Sequence, residues 1–232
     1  MNLKAITQRM LFNLEKESLL ASGLKDNHQL VEYRGKLDQL TKQFIGQMKP
    51  SHEPVEKARV LFGWLWERKP GRYKPQGHFR LNDVIDAELS KDSRTVGNCL
   101  GLTLLYQCLL KEISIHADAL YLENAFGMGP HVLTLLQTDT SAIDIENILP
   151  DGFDYKGHLN HPSRTKWGDK ELVADIYHSF GNEYFEKGEF AKALSNYEMA
   201  IKLNPQYEKA HLNKAILMDK LGTRKEDRSI KQ

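Results

Sequence analysis

The segment 99–110 constrains the fold most strongly, because a helix over these residues is apolar on nearly every side. Such a helix cannot lie on a protein surface and must be buried in a core. Amphipathic helical patterns precede it within residues 1–48, and another runs over 55–66, after Pro50 has ended the helix before it. The sequence therefore predicts helices that pack around one central helix.

Three short runs with strand character follow the apolar segment, at 114–123, 131–136 and 142–145. Residues 138–141 supply turn chemistry between the last two. This order predicts an α+β fold in which the central buried helix packs on a small antiparallel sheet. The expected organisation is an N-terminal helical segment at 1–50, a core at 51–150, a linker at 151–170 and a different unit at 171–232.

The C-terminal unit carries aromatic and small side chains at fixed offsets. Eight of them match the 34-residue tetratricopeptide (TPR) pattern: Tyr177, Phe180, Gly181, Tyr184, Ala193, Tyr197, Ala200 and Pro205. Small and aromatic residues at these offsets allow two antiparallel helices to nest closely, and Gly188 breaks the chain between them. We expect an all-α hairpin of one full repeat, followed by a half repeat or capping helix that begins near Glu208. The resemblance to TPR units implies contact with a protein or peptide partner.

Composition and charge limit which other partners, besides a protein or peptide, the chain is expected to bind. The net charge is +1 and no long basic run occurs, which argues against nucleic acid as the main partner. No apolar stretch approaches the roughly 20 residues of a membrane span, and the N-terminus lacks the pattern of a secretory signal. Two cysteines nine residues apart on one helix lie about 13 Å apart, too far for a disulfide. The expected location is the cytoplasm, with no membrane partner and an undetermined oligomeric state.

No cofactor is expected, because the sequence has neither a phosphate-cradling glycine loop nor a dinucleotide fingerprint. His158 and His161 lie in a polar loop without a neighbouring third ligand. Since zinc needs at least three protein ligands, we interpret both histidines as solvated and predict no metal site.

Three residues in chain order suggest chemistry. Cys99 opens the apolar helix, His131 opens the second strand-like run, and Asp144 lies in the third. A thiol nucleophile needs a base and a residue that orients the base, and a helix N-terminus capped by Asn98 favours the reactive thiolate. Asp144 lies opposite some residue between 130 and 136, so a contact with His131 is possible only if the hairpin turn comes early. The alternative is that Cys99 is an ordinary buried thiol.

An oxyanion formed during attack on an acyl carbon needs two hydrogen-bond donors. The backbone N–H of Cys99 is one candidate. Tyr73, Gln76 and Trp64, with Trp66 beside it, are the upstream candidates for the second, and the sequence does not choose among them.

The segment 57–148 resembles the core of the transglutaminase-like superfamily, which shares the papain-type cysteine protease fold. The matching features are Trp64 to Trp66, Tyr73, the pair Gly97 and Cys99 at the head of an apolar helix, His131 and Asp144. The resemblance implies Cys99 as nucleophile, His131 as base and Asp144 as orienter. It implies a cysteine-type hydrolase or acyltransferase (a peptidase, amidase, deamidase or transglutaminase) that acts on an amide in a peptide or protein. The alternative is a non-catalytic scaffold with a degenerate transglutaminase-like domain.

Overall fold

The structure is a computed structural model that describes residues 12–48, 53–139 and 141–229. Eight helices and one antiparallel four-stranded sheet occur in these ranges, which confirms the predicted α+β class. The chain divides into two units, Met1–Leu172 and Val173–Gln232. Among the described residues, no helix combines the length and apolarity that a membrane crossing requires.

Five helices form the helical part of the first unit. Asn13 and Asp26 cap the first two, each accepting a 2.8 Å hydrogen bond from a backbone N–H three residues on. Pro54 occupies the first turn of the third helix, where its missing N–H costs little. The predicted helical pattern at residues 3–10 lies outside the described residues. The helices are α1 (Leu14–Ala21), α2 (Asn27–Ile45), α3 (Pro54–Arg68), α4 (Leu81–Leu89) and α5 (Cys99–Glu112).

Helix α5 is the central helix. Every side chain from 100 to 110 is buried, which confirms the prediction made from its apolar surface. Two of its polar side chains bind the sheet: the Thr103 hydroxyl donates to the Val132 carbonyl at 3.3 Å, and the Gln107 amide donates to the Asp118 carbonyl at 2.8 Å. These bonds fix the helix against the strands.

The sheet has the strand order β3-β2-β1-β4 with every neighbour antiparallel. Its first three strands confirm the predicted strand runs. The fourth lies inside the predicted linker and was not expected, because three residues are too few to show alternation. Trp167 anchors it by stacking on Tyr121, with ring centroids 4.1 Å apart. The strands are β1 (Ala117–Leu122), β2 (His131–Gln137), β3 (Ala142–Ile145) and β4 (Thr165–Trp167).

The remaining helices are α6 (Asp169–Glu186), α7 (Phe190–Leu203) and α8 (Glu208–Ser229), and the boundary between the two units falls within α6. Gly188 separates α6 from α7 with a φ of +75°, a conformation that few other residues adopt. A Cβ at Gly181 would lie 2.4 Å from the Tyr197 ring, so only glycine lets that ring pack against α6. The predicted helical hairpin is therefore confirmed.

Candidate active site

Cys99 begins helix α5 and is only partly buried. The Asn98 side chain accepts a 3.0 Å hydrogen bond from the Gly101 N–H, so the predicted cap is present. Cys108 lies nine residues further along the same helix and is buried. Burial raises the pKa of its thiol well above the usual value. The two cysteines therefore differ in their access to solvent.

The loop over residues 73–78 is bound to the chain just before Cys99. The Lys74 N–H donates to the Gly97 carbonyl at 3.1 Å, and the Asn98 N–H donates to the His78 carbonyl at 3.0 Å. A Cβ at Gly101 would lie 2.3 Å from that His78 oxygen. Glycine at 101 therefore allows the loop to lie directly on the first turn of α5.

A buried ion pair fixes the same region from the other side. The guanidinium of Arg72 lies 3.0 Å from the carboxylate of Glu88, and Arg68 approaches the same carboxylate at 3.3 Å. The Arg72 carbonyl accepts the N–H groups of Val96 and Gly97 at 2.8 and 3.1 Å. Burial raises the pKa of Glu88 and lowers that of Arg72, so the attraction between them only partly offsets desolvation.

His131 lies between the thiol and a buried carboxylate. Its Nε2 lies 2.9 Å from both carboxylate oxygens of Glu146, which leaves Nδ1 as the ring nitrogen for Cys99. Burial would lower the pKa of His131, but hydrogen bonds to Cys99 and Glu146 and their charges raise it to about 10. Burial would raise the pKa of Glu146, yet its bonds to two histidines lower it. The arrangement therefore favours an imidazolium beside a carboxylate at neutral pH.

Asp144 does not take the place predicted for it. The strand register pairs Asp144 with Leu135, four residues and about 13 Å along β2 from His131. Its carboxylate instead binds Arg164 at 2.6 and 2.9 Å. Glu146, two residues further toward His131 on the same side of the strand, makes the contact expected of Asp144. The predicted Asp144–His131 contact was therefore wrong, because the hairpin turn is too late for it.

His158 is also placed differently from its prediction. It is only 4% exposed, and its Nε2 lies 3.0 Å from Oε2 of Glu146, so the expectation of a solvated side chain was wrong. His161 lies 2.7 Å from the Asn124 carbonyl. The loop that carries both histidines has no hydrophobic periodicity, and nothing in its sequence indicates that it folds back onto Glu146.

In the described part of the chain, three side chains have the types and spacing of metal ligands: the candidate ligand atoms of His131, Glu146 and His158 all lie within 4.8 Å of one another. Bonds of about 2.1 Å to a tetrahedral zinc would hold ligand atoms about 3.4 Å apart. The nitrogen–oxygen separations of 2.9 and 3.0 Å are instead those of charge-assisted hydrogen bonds. In this arrangement the three side chains form a hydrogen-bonded network centred on Glu146.

The upstream candidates for the second oxyanion donor differ in position. Tyr73 pairs with Gly97 in a β-bridge, and its pKa is raised by burial and by the nearby charges of Cys99 and Glu146. Gln76 is exposed. Trp64 is buried, with its ring centroid 5.6 Å from that of Phe44. Trp66 is buried too and packs against Phe62. Of the four, Tyr73 is the one that interacts electrostatically with both the thiol of Cys99 and the carboxylate of Glu146.

Comparison with known proteins identifies one region of the chain. A TPR repeat model matches residues 181–222, where α6, α7 and α8 form the helical hairpin and its continuation. No curated protein and no solved structure matches the chain. Repeats of this class build surfaces for protein–protein contact, so a role in protein interaction is supported for this part of the molecule.

Proposed function

We propose that the first unit is a thiol-dependent acyl-transfer domain of the transglutaminase-like kind. The observation that carries the proposal is the chain of contacts from Cys99 through His131 to Glu146. Cys99 is the nucleophile and His131 the base. Glu146 fixes the imidazole by holding its Nε2, the role that sequence reasoning gave to Asp144.

The chemistry follows from this geometry. The thiolate attacks an amide carbon, which forms an S–C bond and an oxyanion, and the imidazolium of His131 gives its proton to the leaving amine as the C–N bond breaks. Neutral His131 then takes a proton from water or from an acceptor amine, which attacks the thioester. When the S–C bond breaks, the thiolate and the imidazolium are restored.

Two donors serve the oxyanion in this proposal. The N–H of Cys99 lies in the first turn of α5, where backbone N–H groups have no partner within the helix. The Tyr73 hydroxyl supplies the second hydrogen bond, since Tyr73 lies within electrostatic reach of both Cys99 and Glu146.

The surroundings of the site favour an amide within a peptide or protein. Phe126 packs edge-on against His131 and His158, with ring centroids 5.7 and 4.9 Å away, and it remains 44% exposed. An exposed apolar ring beside the reactive groups suits a substrate with its own apolar side chains. The TPR repeat then recruits the protein that carries the amide, because repeats of this class form protein-binding surfaces.

The test is the pH dependence of alkylation by iodoacetamide, read separately at Cys99 and Cys108 by mass spectrometry. We expect Cys99 to react rapidly at pH 6 and His131→Ala to slow it by up to about 300-fold, since an unperturbed thiol is only about 0.3% ionised at that pH. His28→Ala is the matched control, because His28 is an exposed histidine of α2.

Cys108 reports whether each variant is folded. If Cys99 reacts like an unperturbed thiol whatever residue stands at 131, the unit is not a thiol enzyme and serves as a scaffold for the repeat. If Cys99 is activated, peptides that contain glutamine, asparagine and terminal amides are then assayed for cleavage, ammonia release and transfer to an added amine.

A further inference from the structure

The loop over 153–164, which follows the sheet, is bound to β3 at several points. Phe153 forms a β-bridge with Ile145, and the Tyr155 N–H donates to the Asp144 carbonyl at 2.8 Å. The side chain of Asp144 is 2% exposed and receives both nitrogens of the Arg164 fork. A bidentate pair of this kind fixes direction as well as distance.

Arg164 connects this anchor to His158. Its Nη1 donates to the His158 carbonyl at 2.8 Å as well as to Asp144. One guanidinium therefore holds the backbone of His158 at a set distance from β3. Phe126 and Tyr155 enclose the imidazole, each with its ring centroid 4.9 Å from that of His158.

The side chain of His158 ends on Glu146. The Glu146 carboxylate is completely buried and binds His131 through both oxygens and His158 through Oε2. Without His158, Oε2 of Glu146 would keep only its contact with His131, so the carboxylate would be held less firmly. His158 therefore orients Glu146, and Glu146 in turn orients His131.

From these contacts we infer that Asp144 and Arg164 form a latch that seats His158 on Glu146, so that the loop over 153–164 is a positioning part of the thiol site. The inference rests on the proposed function, since it assigns these residues to the reactivity of Cys99. His158, Arg164 and Asp144 are positioning residues in this scheme and touch no reacting atom.

The experiment uses the full chain and the same alkylation assay over a range of pH. We expect His158→Ala to slow Cys99 at pH 6 by about tenfold or more, and His158→Gln to recover part of the rate because its amide can still donate to Glu146. Arg164→Gln, which removes the fork, is expected to show a similar loss. Lys156→Gln is the matched control, since it breaks an exposed 2.6 Å ion pair with Asp154 in the same loop.

A double-mutant cycle tests whether the latch and His158 act in one chain. If they do, His158→Ala combined with Arg164→Gln slows Cys99 no more than the stronger single variant. Additive losses, or losses equal to that of Lys156→Gln, overturn the inference. So does a change in rate without a change in the shape of the pH profile, because a purely structural defect lowers reactivity at every pH.

Failure of this inference differs from failure of the proposed function. When His131→Ala slows Cys99 and the His158 and Arg164 variants do not, the latch alone is refuted. When His131→Ala has no effect, the proposed function falls and the latch with it. If His158→Ala does not fold, as judged by rapid labelling of Cys108, the comparison of Arg164→Gln with Lys156→Gln decides the outcome, because Arg164→Gln breaks the fork and leaves His158 in the chain.

Discussion

Two carboxylates of the first unit, Glu88 and Glu146, are completely buried, and each binds two cationic or basic side chains. The partners of Glu88 are Arg72 and Arg68, which do not release a proton at any ordinary pH. The partners of Glu146 are histidines, whose side chains can both give up and accept a proton, and one of them reaches Cys99. Burial of a carboxylate therefore does not define a reactive site. What defines it is whether the side chain bound to the carboxylate can transfer a proton and whether that side chain contacts a nucleophile.

The largest expected effect is on stability and concerns Glu88. Glu88→Ala leaves the guanidinium of Arg72 buried without its main partner, and we expect the free energy of unfolding in urea to fall by about 3–5 kcal/mol. Replacing the pair by Arg72→Met with Glu88→Leu is expected to recover most of this loss, because apolar residues of similar volume avoid the desolvation cost. A single variant as stable as the parent would mean that the pair is not structural.

The next effect separates the two carboxylates by reactivity. Glu146→Gln removes the charge that holds His131 as an imidazolium, so we expect alkylation of Cys99 at pH 6 to slow at least about tenfold, the equivalent of one pKa unit. In the double variant Arg72→Met with Glu88→Leu, which keeps a packed pair of side chains beside the same region, the rate is expected to change by less than about twofold. If both variants slow the alkylation of Cys99 equally, Glu146 has no special role in the reactivity of the thiol.

A smaller effect is expected in the pH dependence of stability. The lowered pKa of Glu146 stabilises the fold above its ordinary value of 4.5, and this contribution is lost as the pH falls. The raised pKa of His131 stabilises the fold below its ordinary value of 6.5, and this contribution is lost as the pH rises toward about 10. The raised pKa of Glu88 gives a slope of the opposite sign to that of Glu146.

Urea titrations between pH 3.5 and 10.5 measure these slopes, with the interval defined by the pKa values above. Glu146→Gln is expected to lose the decline on the acid side, and His131→Gln the decline on the alkaline side. Parallel curves for the parent and both variants would contradict the assigned protonation states.

The smallest expected effect is that of a chelator. Because the distances between His131, Glu146 and His158 are those of hydrogen bonds, we expect dialysis against EDTA to leave the alkylation rate and the thermal midpoint of the parent unchanged. A loss of stability on dialysis that zinc restores would show that His131, Glu146 and His158 bind a metal, and Glu146 would then not be comparable with Glu88.

Most of the fold could be predicted from periodicity. The apolar surface of α5 required a buried helix, and the spacing of Gly181, Ala193 and Tyr197 indicated the TPR hairpin. Strand β4 was missed because its three residues lie in a segment without alternation. A periodic pattern of apolar residues indicates a helix or strand only when the element is long enough for the pattern to repeat.

The candidate site was predicted only in part. Cys99 and His131 mark the starts of a helix and a strand, where local sequence signals are strong. Asp144 lies in β3 and Glu146 comes just after β3 ends, so only the exact length of the hairpin decides which of the two reaches His131. His158 arrives through tertiary contacts of an irregular loop, which no local pattern encodes.

The position of Arg164 in the chain has a consequence for biosynthesis. In the proposed scheme the residues that act on Cys99 through His131 all follow it in the chain, and the last of them, Arg164, comes 65 residues later. At the usual 5–20 residues per second, the ribosome needs about 3–13 s to add them. Throughout that interval the nascent chain carries its thiol without the completed set of supporting contacts, so full reactivity would be acquired only after the protein has been translated beyond the sheet.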